Sequence, residues 1–149
     1  MIYFLISNVI LVGIAFLVMF KFFNTRFGEQ QLELLSVLIS TKSHYVYGHQ
    51  EHVAAIVNIF YYYLPKEIRK KVNRKKLVKA AKMHDVGKLF IVDDILNKPG
   101  KLTEEEYDII KSHAAIGAGI LDKTFHREIS NFVLCHHEWI NGQGYYQAE

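Results

Sequence analysis

The chain of 149 residues contains a single cysteine, Cys135. No intramolecular disulfide can form, which agrees with a reducing cytoplasmic compartment. A structural zinc site built on several thiolates is excluded as well. Sustained apolar–polar alternation is missing, as are internal repeats, so the soluble part reads as all-α. Residues 1–20, MIYFLISNVILVGIAFLVMF, carry no charge. Nothing basic precedes this run and FLVMFKFFNTRFG offers no small-residue cleavage site, which argues against a secretory signal peptide. Twenty apolar residues rise ~30 Å as a helix, the thickness of a bilayer's hydrocarbon core. Residues 1–23 are therefore expected to form one N-terminal transmembrane helix. Lys21 and Arg26 follow it and no Lys or Arg precedes it. The positive-inside rule then gives a single-pass protein of the inner (cytoplasmic) membrane, N-terminus outside and the remainder cytoplasmic.

Residues 24–43 read as a juxtamembrane helical linker. Within 29–43, Leu32, Leu35, Leu38 and Ile39 recur at helical spacing, which suits pairing with a second copy into a homodimer. HVAAIVNIFYYYLP predicts a helix ending near Pro65, and its apolar residues run almost all round, as expected of a central helix. Between Lys66 and Lys82 lie nine basic residues and one acidic residue. They make either a solvated helix face or a patch that attracts anionic headgroups or a phosphorylated substrate. LVKAAKMHDVGK is a further helix, NKPG a turn, and Thr103 with Glu106 a capping box. AAIGAGILDKTF and REISNFVLCHHEW read as helices and INGQGYYQAE as a glycine-bearing loop.

Histidine is the notable presence, with eight in the chain. Those that matter are His49, His113, the His84–Asp85 pair and the His136–His137 pair. One histidine alone is commonly exposed, or satisfied inside a core. A doublet is harder to bury without partners. Histidine-bearing segments on separate helices, joined by an aspartate, can converge on divalent metal, and imidazole with carboxylate suits Zn, Fe, Mn or Ni. Adjacent helical residues point about 100° apart. His84 and Asp85 must therefore sit at a helix end if both are to point inward, and Gly87 is expected to supply that ending.

HDVGK with YGHQEHV upstream resembles the HD superfamily of metal-dependent phosphohydrolases. HDVGKLFIVDDILNKPGKLTEEEYDIIKSHAAIGAGIL followed by HHEWINGQGYY is similar to its HD-GYP subfamily, whose members hydrolyse cyclic di-GMP. The likeness covers roughly residues 44–146. It implies an all-α HD-domain helical bundle over 44–149 and two divalent ions held by His49, His84, Asp85, His113, His136 and His137, with Asp85 bridging. It further implies that Asp85 and Lys88 serve catalysis, that Lys88 contacts a phosphate, and that Lys98, Gly144 and Tyr145 lie near the substrate. Two ions lower the pKa of a water nucleophile and clamp phosphate oxygens.

The sequence departs from the subfamily in several places. Gly144-Tyr145-Tyr146 replaces Gly-Tyr-Pro, and Asn141-Gly142 stands where Asp-Gly is usual. His52 replaces an arginine. Tyr45 stands where some members place a carboxylate for a third metal, which favours two ions. The subfamily's following helix, with a final aspartate ligand, has no counterpart before Glu149, so the domain is expected to be short at its C-terminus. The expected partners are a cyclic dinucleotide or other phosphoester and the lipid bilayer, with no nucleic-acid polymer. Two other functions stay open: hydrolysis of another nucleotide or phosphoester, and a membrane-tethered binding or scaffold module with incomplete catalysis.

Overall fold

The computed structural model describes the backbone of residues 2–42, 48–125 and 127–146. Tyr45 and the final residues 147–149 lie outside them, and with them the reading of a third metal. The chain divides into two compact units, Met1–Leu34 and Leu35–Glu149. The first is occupied by helix α1 (Ile2–Lys42), whose last eight residues belong to the second unit. Among the described residues no helix is long and apolar enough to cross a membrane. The transmembrane helix expected over residues 1–23 is thus not supported. Residues 13–21 supply that stretch's described side chains, too few for the ~20 apolar residues a span needs.

The second unit continues with α2 (His49–Phe60), a 3₁₀ turn at Tyr61–Tyr63, α3 (Lys66–Lys71) and α4 (Arg74–Met83). A second 3₁₀ turn, Val86–Phe90, leads to α5 (Asp93–Leu96), α6 (Glu104–Lys111), α7 (His113–Thr124) and α8 (Arg127–Leu134). Among the described residues there is no strand. Chain-local chemistry accounts for several boundaries. Asn73 caps α4 by accepting from the Lys76 N–H. The expected capping box is formed in both directions: the Glu106 N–H donates to Thr103 Oγ1 and the Thr103 N–H to Glu106 Oε2. Gly100 in NKPG takes φ +107°, a conformation that favours glycine.

α2 packs on α4, α4 on α8, and α7 on both α8 and the Val86–Phe90 turn. Their shared core holds Ile39, Met83, Val86, Leu121, Ile129 and Val133. Small residues on α7 allow close approach: Ala114 and Ala118 are buried, and Ser130 on α8 donates to the Ala118 carbonyl. The end of α1 is tied to the start of α2 by Ser40 Oγ donating to Gln50 Oε1, and by Ser36 Oγ donating to Glu51 Oε1. These bonds fix the first turn of α2, and with it His49.

Two expectations about helices are corrected. α2 is not a central helix: Ile56, Ile59 and Phe60 are exposed, because a single face packs on α4. The helix expected to run through CHHEW stops at Leu134, and Cys135–His137 form a turn closed by the Glu138 N–H donating to the Cys135 carbonyl.

Candidate metal centre

Six residues from four separate segments meet within the second unit. His113, His136 and His137 can offer ligand atoms within 4.8 Å of one another, and so can His49, His84 and Asp85. The two groups adjoin. Asp85 Oδ2 is 3.3 Å from His84 Nε2, while Oδ1 is 3.4 Å from His113 Nε2. The His84 and His136 rings lie 5.2 Å apart, as do those of His113 and His136.

One device orients three of the imidazoles. His84 Nδ1–H donates to the Ala81 carbonyl at 2.8 Å, His113 Nδ1–H to Ile110 at 2.6 Å, and His136 Nδ1–H to Val133 at 2.6 Å. Each acceptor lies in the last turn of a helix (α4, α6 and α8), where carbonyls lack an intrahelical partner. Each ring thus caps the carbonyl three residues before it. The bond fixes the tautomer and leaves Nε2 as a lone pair aimed into the cluster. Both doublets lie where a helix has just ended, and the two members of each can offer ligand atoms to one group.

The ending after α4 is not the one expected of Gly87. The helix closes at His84 in ordinary right-handed geometry, and Gly87 has no positive φ. Its role is close approach. A Cβ there would lie 1.9 Å from the His113 carbonyl oxygen and 2.9 Å from the Gly117 nitrogen. A bare backbone lets the turn carrying Asp85 and Lys88 press against the start of α7.

The donor set fits divalent metal on three counts. Asp85 Oδ1 is buried and accepts no hydrogen bond among the described residues, an orphan that burial makes costly. His113 Nε2 and His136 Nε2 face each other at 3.2 Å, two lone pairs that repel unless a cation lies with them. Three of the rings are also held in the neutral form that a ligand needs. Burial, chiefly, pushes His136 down to about 4, and it lowers His113 and His137 too. At His84 burial opposes the charged form, but the hydrogen bond and charge of Asp85 prevail and raise its pKa. At Asp85 burial favours the acid, yet His84 and Lys88 outweigh it and hold the carboxyl well below the usual range.

Residues 46–149 match the HD domain. The chain belongs to the HD domain family. A 3'3'-cGAMP-specific phosphodiesterase 1 of Vibrio cholerae serotype O1 is 31% identical over 130 residues, covering 83% of this chain and 29% of that protein. A cyclic di-GMP phosphodiesterase of Thermotoga maritima is 45% identical over 69 residues, 44% of this chain and 19% of its own length. The cyclic di-GMP phosphodiesterase response regulator RpfG of Xanthomonas campestris pv. campestris is 45% identical over 69 residues, with shares of 44% and 18%. The chain thus spans under a third of the length of these relatives.

Around this HD centre the remaining candidates fall differently. Lys88 is buried, with Nζ 2.8 Å from Asp85 Oδ2. Tyr145 stacks on His137, ring centroids 4.2 Å apart, and its hydroxyl is 3.1 Å from that of Tyr107. Gly144 makes that contact possible, since a Cβ would meet the His137 carbonyl oxygen at 2.3 Å. Lys98 pairs with both carboxylate oxygens of Glu106 at 2.7 Å, fastening the NKPG turn to the capping box of α6. Asn141, where the subfamily has aspartate, is exposed and builds a turn by accepting from the Gln143 N–H. Two residues that sequence reasoning missed shape the loop. Tyr107 meets Tyr145, and Glu138 accepts the Tyr146 N–H. The sequence holds a signal for Glu138, the third letter of HHE, but none for Tyr107.

Proposed function

We propose that this chain carries a metal-dependent phosphodiesterase domain acting on a cyclic dinucleotide. The observation that carries the reading is the pair of ligand groups joined by Asp85, a carboxylate with one buried oxygen that meets no donor among the described residues. The names of the relatives support the substrate class.

His113, His136 and His137 would hold one divalent ion, and His49, His84 and Asp85 the other, with Asp85 Oδ1 turned toward the first group. Fe, Mn, Zn and Ni all suit these donors. When bound, such ions supply a water nucleophile near neutral pH and neutralise phosphate charge. The chain's own residues do the rest. The three carbonyl-capped imidazoles present Nε2 without rotamer search, so the centre is pre-organised. Lys88 is the cation placed beside Asp85 to offset charge developing on phosphoryl oxygens. Tyr145, laid on His137 and hydrogen-bonded to Tyr107, forms one edge of the centre, where the substrate's polar groups would be met.

Placement at the inner membrane through residues 1–23, and pairing through residues 29–43, rest on the sequence pattern alone: the charge-free run, the cations after it and the leucine spacing.

Elemental analysis of the purified chain, joined to hydrolysis assays on cyclic di-GMP, 3'3'-cGAMP and a generic phosphodiester, tests the reading. Bound metal with turnover of a cyclic dinucleotide is the expected result. Turnover of the generic ester alone would reassign the substrate. Metal without turnover of any of the three would leave a binding module.

A further inference from the structure

α2 and the 3₁₀ turn that follows it have two unlike faces. Gln50, Ala54, Val57 and Tyr61 recur at helical spacing and are buried or half-buried. On the other side Ile56, Ile59, Phe60 and Tyr63 follow an i, i+3, i+4, i+7 pattern and are 65%, 61%, 58% and 79% exposed. Large apolar side chains aligned along one solvent-facing stripe mark an interaction surface, unlike apolar residues scattered singly.

The stripe is fastened to the most basic part of the chain. The Tyr61 hydroxyl donates to the Arg69 carbonyl at 2.9 Å, and Arg69 Nη1 donates to the Tyr62 carbonyl at 3.2 Å. The Arg74 guanidinium lies 5.6 Å over the Tyr62 ring and donates to Asn58 at 2.6 Å. Lys66, Lys70, Lys71 and Lys75 are exposed beside them, and Ile68 is exposed on α3. A groove of about 570 Å³ runs between α3 and α4, lined by Arg69, Lys70, Lys71, Arg74 and Lys75, and at one side by Lys76 paired with Glu128 at 2.7 Å. Glu67 is the one acidic residue against nine cations between Lys66 and Lys82.

We propose that this face seats on an anionic lipid surface, with Ile56, Ile59, Phe60 and Tyr63 entering the headgroup region and the α3–α4 cations meeting lipid phosphates. An apolar stripe with aromatic members beside lysine and arginine is the composition that binds at a charged bilayer interface. The alternatives fit less well. A second copy of this chain meeting the same face would set cations against cations, because an isologous contact is self-complementary. A nucleic-acid polymer would use the cations but give no account of three protruding isoleucines. None of these residues belongs to the metal centre, and the proposal is independent of residues 1–23 and of the reaction.

The test follows the stripe itself in the full chain, so that any anchoring elsewhere does not enter. Ile59→Cys, made in a Cys135→Ser chain, is labelled with an environment-sensitive fluorophore and mixed with vesicles of phosphatidylcholine, with or without phosphatidylglycerol. The expected result is a blue shift with phosphatidylglycerol that is absent on pure phosphatidylcholine and reversed by salt. A label at Ile140→Cys, on the loop after α8, should stay unshifted. Each cation near an anionic surface strengthens binding roughly fivefold, so Lys66→Gln with Lys70→Gln and Lys71→Gln should weaken the partitioning of the stripe roughly 100-fold. The proposal is overturned by no shift, by an equal shift on neutral vesicles, or by a shift produced by RNA and not by vesicles.

Discussion

Replacing Gly87 by alanine probes the centre through its backbone and leaves every candidate ligand in place. Gly87 has no positive φ, so an alanine can adopt its conformation, and only space is at issue. The added Cβ would stand 1.9 Å from the His113 carbonyl oxygen, 2.7 Å from its carbon and 2.9 Å from the Gly117 nitrogen. All three are backbone atoms, and none can swing aside. Restoring ordinary contact at 3.4 Å from 1.9 Å requires the turn and the start of α7 to separate by 1.5 Å (3.4 − 1.9). Metal–ligand distances tolerate about 0.2 Å, so the movement is several times what a shared centre can absorb. Asp85, two residues before Gly87, would leave His113, now 3.4 Å away. Overpacking costs about 1–3 kcal/mol or more where backbone must move. The expected result for Gly87→Ala is a lower thermal midpoint and a loss of metal by elemental analysis. Gly119→Ala is the control: nothing lies within 4 Å of its Cβ, it sits inside α7, and alanine there should stabilise by about 0.4–1 kcal/mol with metal retained. If Gly87→Ala binds as much metal as Gly119→Ala, the close approach of turn and helix is not what assembles the centre.

Three further outcomes follow from the same geometry. Asp85→Ala should empty both ligand groups and abolish hydrolysis, which elemental analysis and the cyclic-dinucleotide assay would show; wild-type turnover in this variant would remove the metal reading. Lys88→Ala should keep its metal but slow hydrolysis about 10²–10³-fold, as loss of one charge-stabilising donor does, and equal rates would refute its role. In chelator-treated protein, stability should rise as pH climbs from about 4 to 6.5. His136 binds its proton near 4 when folded and near 6.5 when unfolded, so its contribution is complete above 6.5 and lost as pH falls toward 4. The partly exposed ring gives about 1–3 kcal/mol for this change. His113 and His137, also lowered, act in the same direction. The raised His84 acts in the opposite one, its contribution present below 6.5 and fading as pH climbs through its folded value. A thermal midpoint that is flat, or that falls between pH 4 and 6.5, would contradict this balance.

Several elements could be read from the sequence because their causes are local. The Thr103–Glu106 capping box and the NKPG turn are decided within a few residues, and the structure contains both. Readings that required knowing a neighbour went astray. The apolar residues of α2 run almost all round and predict a central helix, but periodicity cannot say which face meets α4, and the stripe from Ile56 to Tyr63 faces outward. CHHEW has helical composition throughout. The chain nonetheless leaves the helix at Leu134, and His136 and His137 can then serve one centre. Gly87 read locally predicts a helix ending, whereas the structure uses it for close approach to His113, 26 positions later in the sequence (113 − 87).

By itself the sequence determined the donor chemistry: histidines in separated segments, one aspartate beside a histidine, and too few thiols for a cysteine-rich site. It also determined the helical class, since no stretch alternates as a strand must. The tertiary structure alone decided that these donors meet, that Asp85 faces both groups, and that helix-end carbonyls aim Nε2 of His84, His113 and His136 inward. The physical reason is range. Side-chain chemistry and helix propensity are properties of a residue and its near neighbours. The distances between Asp85, His113 and His136 depend on how α4, α7 and α8 pack, and that packing rests on small residues whose partners lie elsewhere in the chain.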